Sequence, residues 1–478
     1  MEKKSKRRRL SSLVKIFFFV LVLAATFRGS LSAAIQQPSK KKSTSTHTTA
    51  ATSFDSSFVL PISGNVYPLG YYSVSVNIGN PPKLFDLDID TGSDLTWVQC
   101  DAPCTGCTKP VDHLYKPRNN LVPCSNPFCS AMHSSENHQC ESSNDQCDYE
   151  VQYADEGSSI GVLVSDHFPL RLMNGSLLNP VMAFGCGYDQ KNPSPIPPPP
   201  TSGVLGLGKG KSSIISQLQK LGVMKNVIGH CLSSRGGGFL FFGDYLVPYS
   251  GIRWIPMSQS SSDKHYISGP AELLFGGKPT GVKGQRFIFD SGSSYSYFNA
   301  QLYKNMLNLI RKDLSGKQLK DAPEEKALSI CWKGIKPFKT VSDAKSYFKP
   351  LALSFTAAKN VQLQLQPEDY LIVTNGGNVC LGILNGSEVG LGNLNVIGDI
   401  FFQDKLVIYD NDKHQIGWVP ANCDRLPNVD RDFIEGFCQP YTINYGILED
   451  HCPSQYATVK NNKLIDTEGI GPRYKRQK

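Results

Sequence analysis

Two tetrapeptides, Asp90-Thr91-Gly92-Ser93 and Asp290-Ser291-Gly292-Ser293, lie 200 residues apart and carry the same chemistry. Each carboxyl ends a short apolar strand: Asp90 follows Phe85, Leu87 and Ile89, and Asp290 follows Phe287-Ile288-Phe289. The glycine two residues after each Asp lets the backbone turn sharply and approach a partner closely. Two carboxylates brought face to face cannot both ionise, so they share one proton. The ionised member can take a proton from water while the protonated member hydrogen-bonds a carbonyl oxygen. That combination hydrolyses an amide through a tetrahedral diol, with no metal, cofactor or covalent intermediate. It predicts an acidic optimum, because one carboxyl must stay protonated.

An internal repeat must bring the two carboxyls together. Val204-Leu205-Gly206 echoes Val396-Ile397-Gly398, with glycines 192 residues apart and gaps of 116 and 108 from the respective Asp. A tyrosine precedes each Asp, at Tyr72 and Tyr266. One Asp-Thr-Gly means little, whereas two in register with the same downstream echo imply two related β lobes. The polypeptide around them reads as short strands. Tyr72, Val74, Val76 and Ile78 alternate with polar residues, and Asp86 and Asp88 read as the solvated face of the strand that ends at Asp90. Asp94 gains no role from this pairing. Ser212–Lys220 and Ala300–Leu314 are the better helical stretches. The expected organisation is a signal segment at 1–34, a linker or short prosegment at 35–66, an N-terminal lobe at 67–250, a C-terminal lobe at 251–425 and an extension at 426–478.

Composition supports a globular β protein. Among 478 residues, 42 Gly and 31 Pro suit strands and turns better than long helices. The formal charge of +8 is misleading. Residues 1–34 hold eight Lys/Arg against one Glu and Lys40–Lys42 add three more, leaving the remainder at −2. No basic surface is left to argue for nucleic acid. The basic start, the apolar run Ile16–Phe27 and the small residues Ser30, Ser32, Ala33 and Ala34 form a secretory signal. Left uncleaved, the same segment would be a membrane anchor. The expected destination is the secretory route, either outside the cell or in a vacuolar or endomembrane compartment.

Fourteen cysteines fit an oxidising compartment. Cys104-Thr-Gly-Cys107 with His113 nearby lacks the second half of a zinc site. Asn174-Gly-Ser and Asn385-Gly-Ser are glycan acceptors on that route. Gly157-Ser-Ser-Ile-Gly161 spells a nucleophile elbow, but strand, not helix, is expected after it. Gly206-Leu-Gly-Lys-Gly-Lys-Ser212 misses phosphate-loop spacing, since Leu205 stands where the first glycine is needed.

Taken together, Asp90-Thr-Gly-Ser-Asp-Leu-Thr-Trp97, Asp290-Ser-Gly-Ser-Ser294 and the cysteine-rich stretch after Trp97 resemble pepsin-type aspartic proteases of the plant nucellin and nepenthesin-like branch, over roughly Tyr67–Cys423. The resemblance implies an all-β, bilobal double β-barrel with few short helices and a deep cleft for an extended protein or peptide substrate, acting as a monomer. It implies hydrogen-bond exchange between Thr91 and Ser291, and orientation of the carboxylates by Ser93 and Ser293. Tyr153 would be the flap tyrosine, hydrogen-bonded by Trp97. Ala154 and Glu156 depart from the glycines common around that tyrosine. The resemblance also implies the disulfides Cys100–Cys104, Cys107–Cys186, Cys124–Cys147, Cys129–Cys140, Cys231–Cys423 and Cys331–Cys380; Cys438 and Cys452 lie beyond it, and whether they pair with each other stays open. Relatives that lost a catalytic Asp serve as inhibitors or receptors. A catalytically weak or inactive binding protein is therefore the alternative, although both Asp residues and both glycines are present.

Overall fold

Strand Lys83–Asp90 is the element on which the site depends. Phe85, Leu87 and Ile89 are buried on one of its faces. The other face carries three carboxyls that sink progressively inward: Asp86 is exposed, Asp88 half-buried and Asp90 buried. Period-two alternation thus holds along this strand, and its polar face leaves solvent as the chain enters the molecule. Strand Tyr71–Ile78 pairs antiparallel with it, Val74 opposite Leu87 and Val76 opposite Phe85.

The computed structural model describes residues 56–133, 140, 142–192, 198–258, 264–359 and 361–425. The expected signal segment, most of the linker, Cys438, Cys452 and the extension lie outside the described residues. The described residues belong to one compact unit, almost wholly β.

The repeat in sequence becomes a repeat in topology. Strand Gly203–Gly206 lies parallel to Lys83–Asp90, with Gly206 beside Asp90. Strand Val396–Ile397 lies parallel to Ile288–Phe289, with Ile397 beside Phe289. In each half a third strand pairs antiparallel with that glycine-bearing strand: Trp97–Gln99 in the first and Ser296–Phe298 in the second. Each of these third strands also runs parallel to a fourth, Val181–Lys191 or Ile383–Asn385.

Two expectations are corrected here. First, the linker does not run to residue 66: Phe58–Asn65 is a strand, paired with Tyr71–Ile78 on one side and Gly238–Phe242 on the other. Phe58 and Ile62 are buried in the main core, which holds this strand in the sheet. Second, the strands do not close into two barrels. Thirteen of them form one open sheet, alongside three four-stranded sheets and one two-stranded sheet among the described residues. That sheet also crosses the expected division near 250. Lys405–Asp410, from the C-terminal half, pairs with Val227–Leu232, and Gln415–Pro420 and Arg253–Pro256 continue outward from it. These strands join the two halves.

Few helices interrupt this plan. Ala300–Leu314 has Asn299 as its cap, whose side chain accepts from the Leu302 amide. It buries Leu302, Met306 and Ile310 at helical spacing. Ile214–Lys220 is capped by Ser213 in the same way, through the Ser216 amide.

Four expected disulfides are also corrected. Cys100 bonds Cys186 and Cys104 bonds Cys107, with Cα–Cα distances of 5.2 and 5.7 Å. Cys124 bonds Cys140 and Cys129 bonds Cys147, both at 5.9 Å. The expected Cys100–Cys104, Cys107–Cys186, Cys124–Cys147 and Cys129–Cys140 are therefore absent. Strand pairing decides the first set: the Cys100 amide donates to Gly187 O at 2.9 Å, which seats Cys100 beside Cys186 in the interior. Cys104 and Cys107 are then left to each other. In the second set, Cys124, Cys129 and Cys147 all lie in one apolar cluster; helix Pro127–Met132 buries Cys129, which bonds Cys147, and the exposed Cys140 bonds Cys124. Cys231–Cys423 and Cys331–Cys380 are bonded in the structure.

Candidate active site

Asp90 and Asp290 meet where the two halves touch. The Thr91 amide donates to Ser291 Oγ at 3.1 Å, and the Ser291 amide donates to Thr91 Oγ1 at 2.9 Å. Thr91 Oγ1 in turn donates to Phe289 O, and Ser291 Oγ to Ile89 O, both at 3.0 Å. Four buried bonds thus lock the two turns together in a near-symmetric exchange. Thr91 is wholly buried and Ser291 nearly so, so none of these groups can exchange its partner for water.

Each carboxylate is then held by its own turn. The Gly92 amide donates to Asp90 Oδ1 at 2.8 Å, and Ser93 Oγ donates to Asp90 Oδ2. The Gly292 amide donates to Asp290 Oδ1 at 2.9 Å, and Ser293 Oγ to Asp290 Oδ2 at 2.7 Å. The reason for glycine differs in part from the one the sequence suggested. Neither Gly92 nor Gly292 is among the residues with positive φ. What each supplies is space for the opposite carboxylate. A Cβ on Gly92 would lie 2.5 Å from Asp290 Oδ1, and one on Gly292 would lie 2.5 Å from Asp90 Oδ1. The inner oxygens of the pair therefore face across the junction.

Burial raises the Asp90 carboxyl well above its ordinary range, and the neighbouring Asp290 carboxyl adds to the rise. The bonds from Ser93 and Gly92 oppose it. The cause is physical: Asp90 is out of water and lies beside a second carboxyl, and both disfavour its charged form.

Tyr153 sits at the tip of the hairpin between strands Asp148–Gln152 and Ser158–His167. Its hydroxyl accepts from Trp97 Nε1 at 2.6 Å. Burial pushes that hydroxyl well above its usual value, with Asp90 the next contributor, so the hairpin tip lies within electrostatic reach of the dyad. Glu156 adopts φ of 65° in this turn. A glycine would hold that left-handed conformation without strain, which accounts for the glycine common there in relatives; nothing in the structure explains the glutamate. Of the two asparagines expected as glycan acceptors, Asn174 is exposed, whereas Asn385 is half-buried and its amide donates to Glu388 Oε1 at 2.8 Å.

Three further carboxyls lie near the pair, and of these the sequence reading missed Asp399. Asp94 is buried rather than idle: its Oδ1 accepts from the Gly210 amide at 2.8 Å, and the glycine-rich stretch 206–210 packs closely around it. That stretch resembles a phosphate loop because it must wrap a side chain. Asp399, beside Gly398, is fully buried and raised well above its ordinary range by burial, with Asp290 next. Its Oδ1 has no hydrogen-bond partner. The available signal was a break in the repeat: Leu207 follows Gly206, but an acid follows Gly398. Asp88 is not solvated as expected. Burial pushes it up to about 7 against a single bond from Thr201.

Among the described residues, Cys129, His133 and Cys147 come close enough together to suggest a metal site. The two sulfurs, however, are joined to each other, so they cannot also be thiolate ligands.

Residues 72–244 match a family model described as the N-terminal part of a xylanase inhibitor, and residues 272–420 one described as its C-terminal part. An aspartic proteinase of Oryza sativa subsp. japonica is 44% identical over 385 residues, spanning 78% of this chain and 92% of the relative. Aspartic proteinase 39 of Arabidopsis thaliana is 29% identical, spanning 76% and 77%. Among solved structures, basic 7S globulin from soybean superposes with a TM-score of 0.60 at 16% identity, over 78% of this chain and 99% of the globulin. The aspartic proteinase from Irpex lacteus superposes with a TM-score of 0.54 at 15% identity, over 77% and 98%. With a paired Asp-Thr-Gly and Asp-Ser-Gly at the junction of two related halves, and relatives of this similarity and coverage, the chain belongs to the pepsin-type aspartic protease family.

Proposed function

We propose that this chain is an aspartic endopeptidase that cleaves protein substrates at acidic pH. The observation that carries the reading is the facing of Asp90 and Asp290, each gripped by its own glycine amide and serine hydroxyl. The pair holds one proton jointly. Its ionised member removes a proton from an attacking water, and its protonated member hydrogen-bonds the scissile carbonyl. The resulting diol collapses as a proton passes to the departing amine. Thr91 and Ser291 keep the carboxyls in position by locking the turns, and Tyr153, fixed by Trp97, covers the bound peptide. Both carboxyls come from one chain, so a monomer suffices. The disulfides fit assembly along the secretory route, towards the cell exterior or a vacuole.

The test is cleavage of a denatured protein at low pH by the wild type, Asp90→Asn and Asp290→Asn. Each variant should lose turnover while unfolding at the wild-type temperature. A fully active Asp90→Asn would overturn the reading. A pepstatin-type transition-state mimic should block the wild type.

A second reading, a catalytically weak binding protein, is favoured by the xylanase-inhibitor descriptions of the matching models and by the seed globulin among the structural neighbours. The same assay separates the two, because a binding protein would leave the denatured substrate intact.

A further inference from the structure

Asp88 lies two residues before Asp90 on the same face of one strand, so the two carboxyls are about 7 Å apart along the chain. Its surroundings are incomplete. Thr201 Oγ1 donates to Oδ2 at 3.0 Å, but Oδ1 is buried with no hydrogen-bond partner. None of the ion pairs among the described residues includes Asp88. The titratable groups within electrostatic reach are Tyr71 on the paired strand, Tyr153 on the hairpin, and Asp399. Asp86 and Asp90 share its strand face. All of these are acids or phenols, so the chain itself supplies no cation.

A half-paired carboxyl beside a reaction centre has an open acceptor position. A peptide lying extended across the dyad advances about 3.3 Å per residue and turns alternate side chains to one face. A long side chain within two or three residues of the scissile bond can therefore reach Asp88. The Tyr153 hairpin lies within electrostatic reach of both Asp88 and Asp90.

We propose that Asp88 is a specificity-determining residue that receives the ammonium or guanidinium group of a substrate lysine or arginine near the scissile bond. The inference rests on the endopeptidase reading and names its substrate class. An incoming cation would pair with Oδ1 while Thr201 keeps Oδ2, completing the carboxylate. Because burial holds the free carboxyl up at about 7, the preference should strengthen as pH rises from 4 towards neutrality, where Asp88 more readily gives up its proton to meet the cation.

The experiment uses one peptide series with Lys, Arg, norleucine or Gln placed in turn at the three positions on each side of the cleaved bond. Values of kcat/KM are measured from pH 4 to 6.5 for wild type, Asp88→Asn, Asp88→Leu and Asp88→Glu. At one position the wild type should favour Lys or Arg over norleucine by about 10-fold or more, the size expected of a charge-assisted hydrogen bond. Asp88→Asn and Asp88→Leu should bring that ratio close to one and remove its pH dependence, and Asp88→Glu should restore part of it. No preference at any position, or a preference that survives Asp88→Leu, overturns the inference while leaving the hydrolase intact. If the wild type cleaves nothing, the endopeptidase reading fails instead. The Lys and norleucine peptides with a reduced amide at the central bond then decide on Asp88 by binding alone: equal affinity for wild type and Asp88→Asn would reject it.

Discussion

A single methyl group placed at Gly92 tests the geometry of the dyad. The Cβ of Gly92→Ala would stand 2.5 Å from Asp290 Oδ1 and 2.7 Å from its Cγ, where ordinary contact begins at 3.4 Å. The Asp290 carboxyl must therefore retreat by about 0.9 Å, the difference between those separations. It cannot do so freely, because the Gly292 amide and the Ser293 hydroxyl hold both of its oxygens. A displacement of about 1 Å in a reacting group costs on the order of 100-fold in rate, or about 2.7 kcal/mol of transition-state stabilisation. The loss should fall on kcat, with KM for a long peptide little changed, because the methyl group lies at the reacting atoms. Global stability should fall by about 1–3 kcal/mol, the usual cost of overpacking a well-packed site. Gly292→Ala should behave alike, because its Cβ would meet Asp90 Oδ1 at the same 2.5 Å. The assay is steady-state cleavage of a fluorogenic peptide at acid pH, paired with thermal unfolding. A Gly92→Ala enzyme within about threefold of wild-type kcat would refute the close facing of the carboxyls, given the 100-fold expected for such a shift.

Other outcomes follow from the same coordinates. Trp97→Phe removes the donor to the Tyr153 hydroxyl and should lower kcat/KM by up to about 10-fold, the worth of one hydrogen bond; unchanged kinetics would deny that bond a part in holding the hairpin. Asp88 is raised from 3.8 to about 7 in the folded chain, so the folded state binds the extra proton between those values and its stability declines as pH climbs through that window. Asp88→Asn should therefore gain on the wild type by up to about 4 kcal/mol between pH 4 and pH 8 in denaturant unfolding, and a difference independent of pH would contradict the burial of that carboxyl. Asp399→Asn should show the same sign. Digestion without reduction should yield linked peptides containing Cys100 with Cys186 and Cys129 with Cys147; recovery of Cys107 linked to Cys186 would reject this pairing.

Local pattern made much of the architecture legible. Alternation marked the strands Tyr71–Ile78 and Lys83–Asp90, and helical spacing marked Ala300–Leu314. Strand Phe58–Asn65 was missed because Pro61 and Gly64 interrupt its pattern. Its place in the sheet depends on Tyr71–Ile78 and Gly238–Phe242, the second of which is far away in sequence. The closed barrels failed for a related reason, since which strand pairs with Val227–Leu232 is settled some 180 residues later, at Lys405–Asp410.

By itself the sequence determined the repeat on which the proposed chemistry rests. Two acids with the same neighbours and the same downstream echo required two like halves, and covalent order alone reveals such a repeat. Tertiary structure decided what depends on proximity between segments that the chain keeps apart. Cys100 bonds Cys186 because two strands run side by side, and Gly92 is needed because another carboxyl occupies the space a side chain would fill. Asp86, Asp88 and Asp90 are the same residue type at the same spacing, yet only packing makes the first a surface group, the second a half-paired acid and the third a member of the dyad. The cost of removing a charge from water is set by what surrounds it in three dimensions.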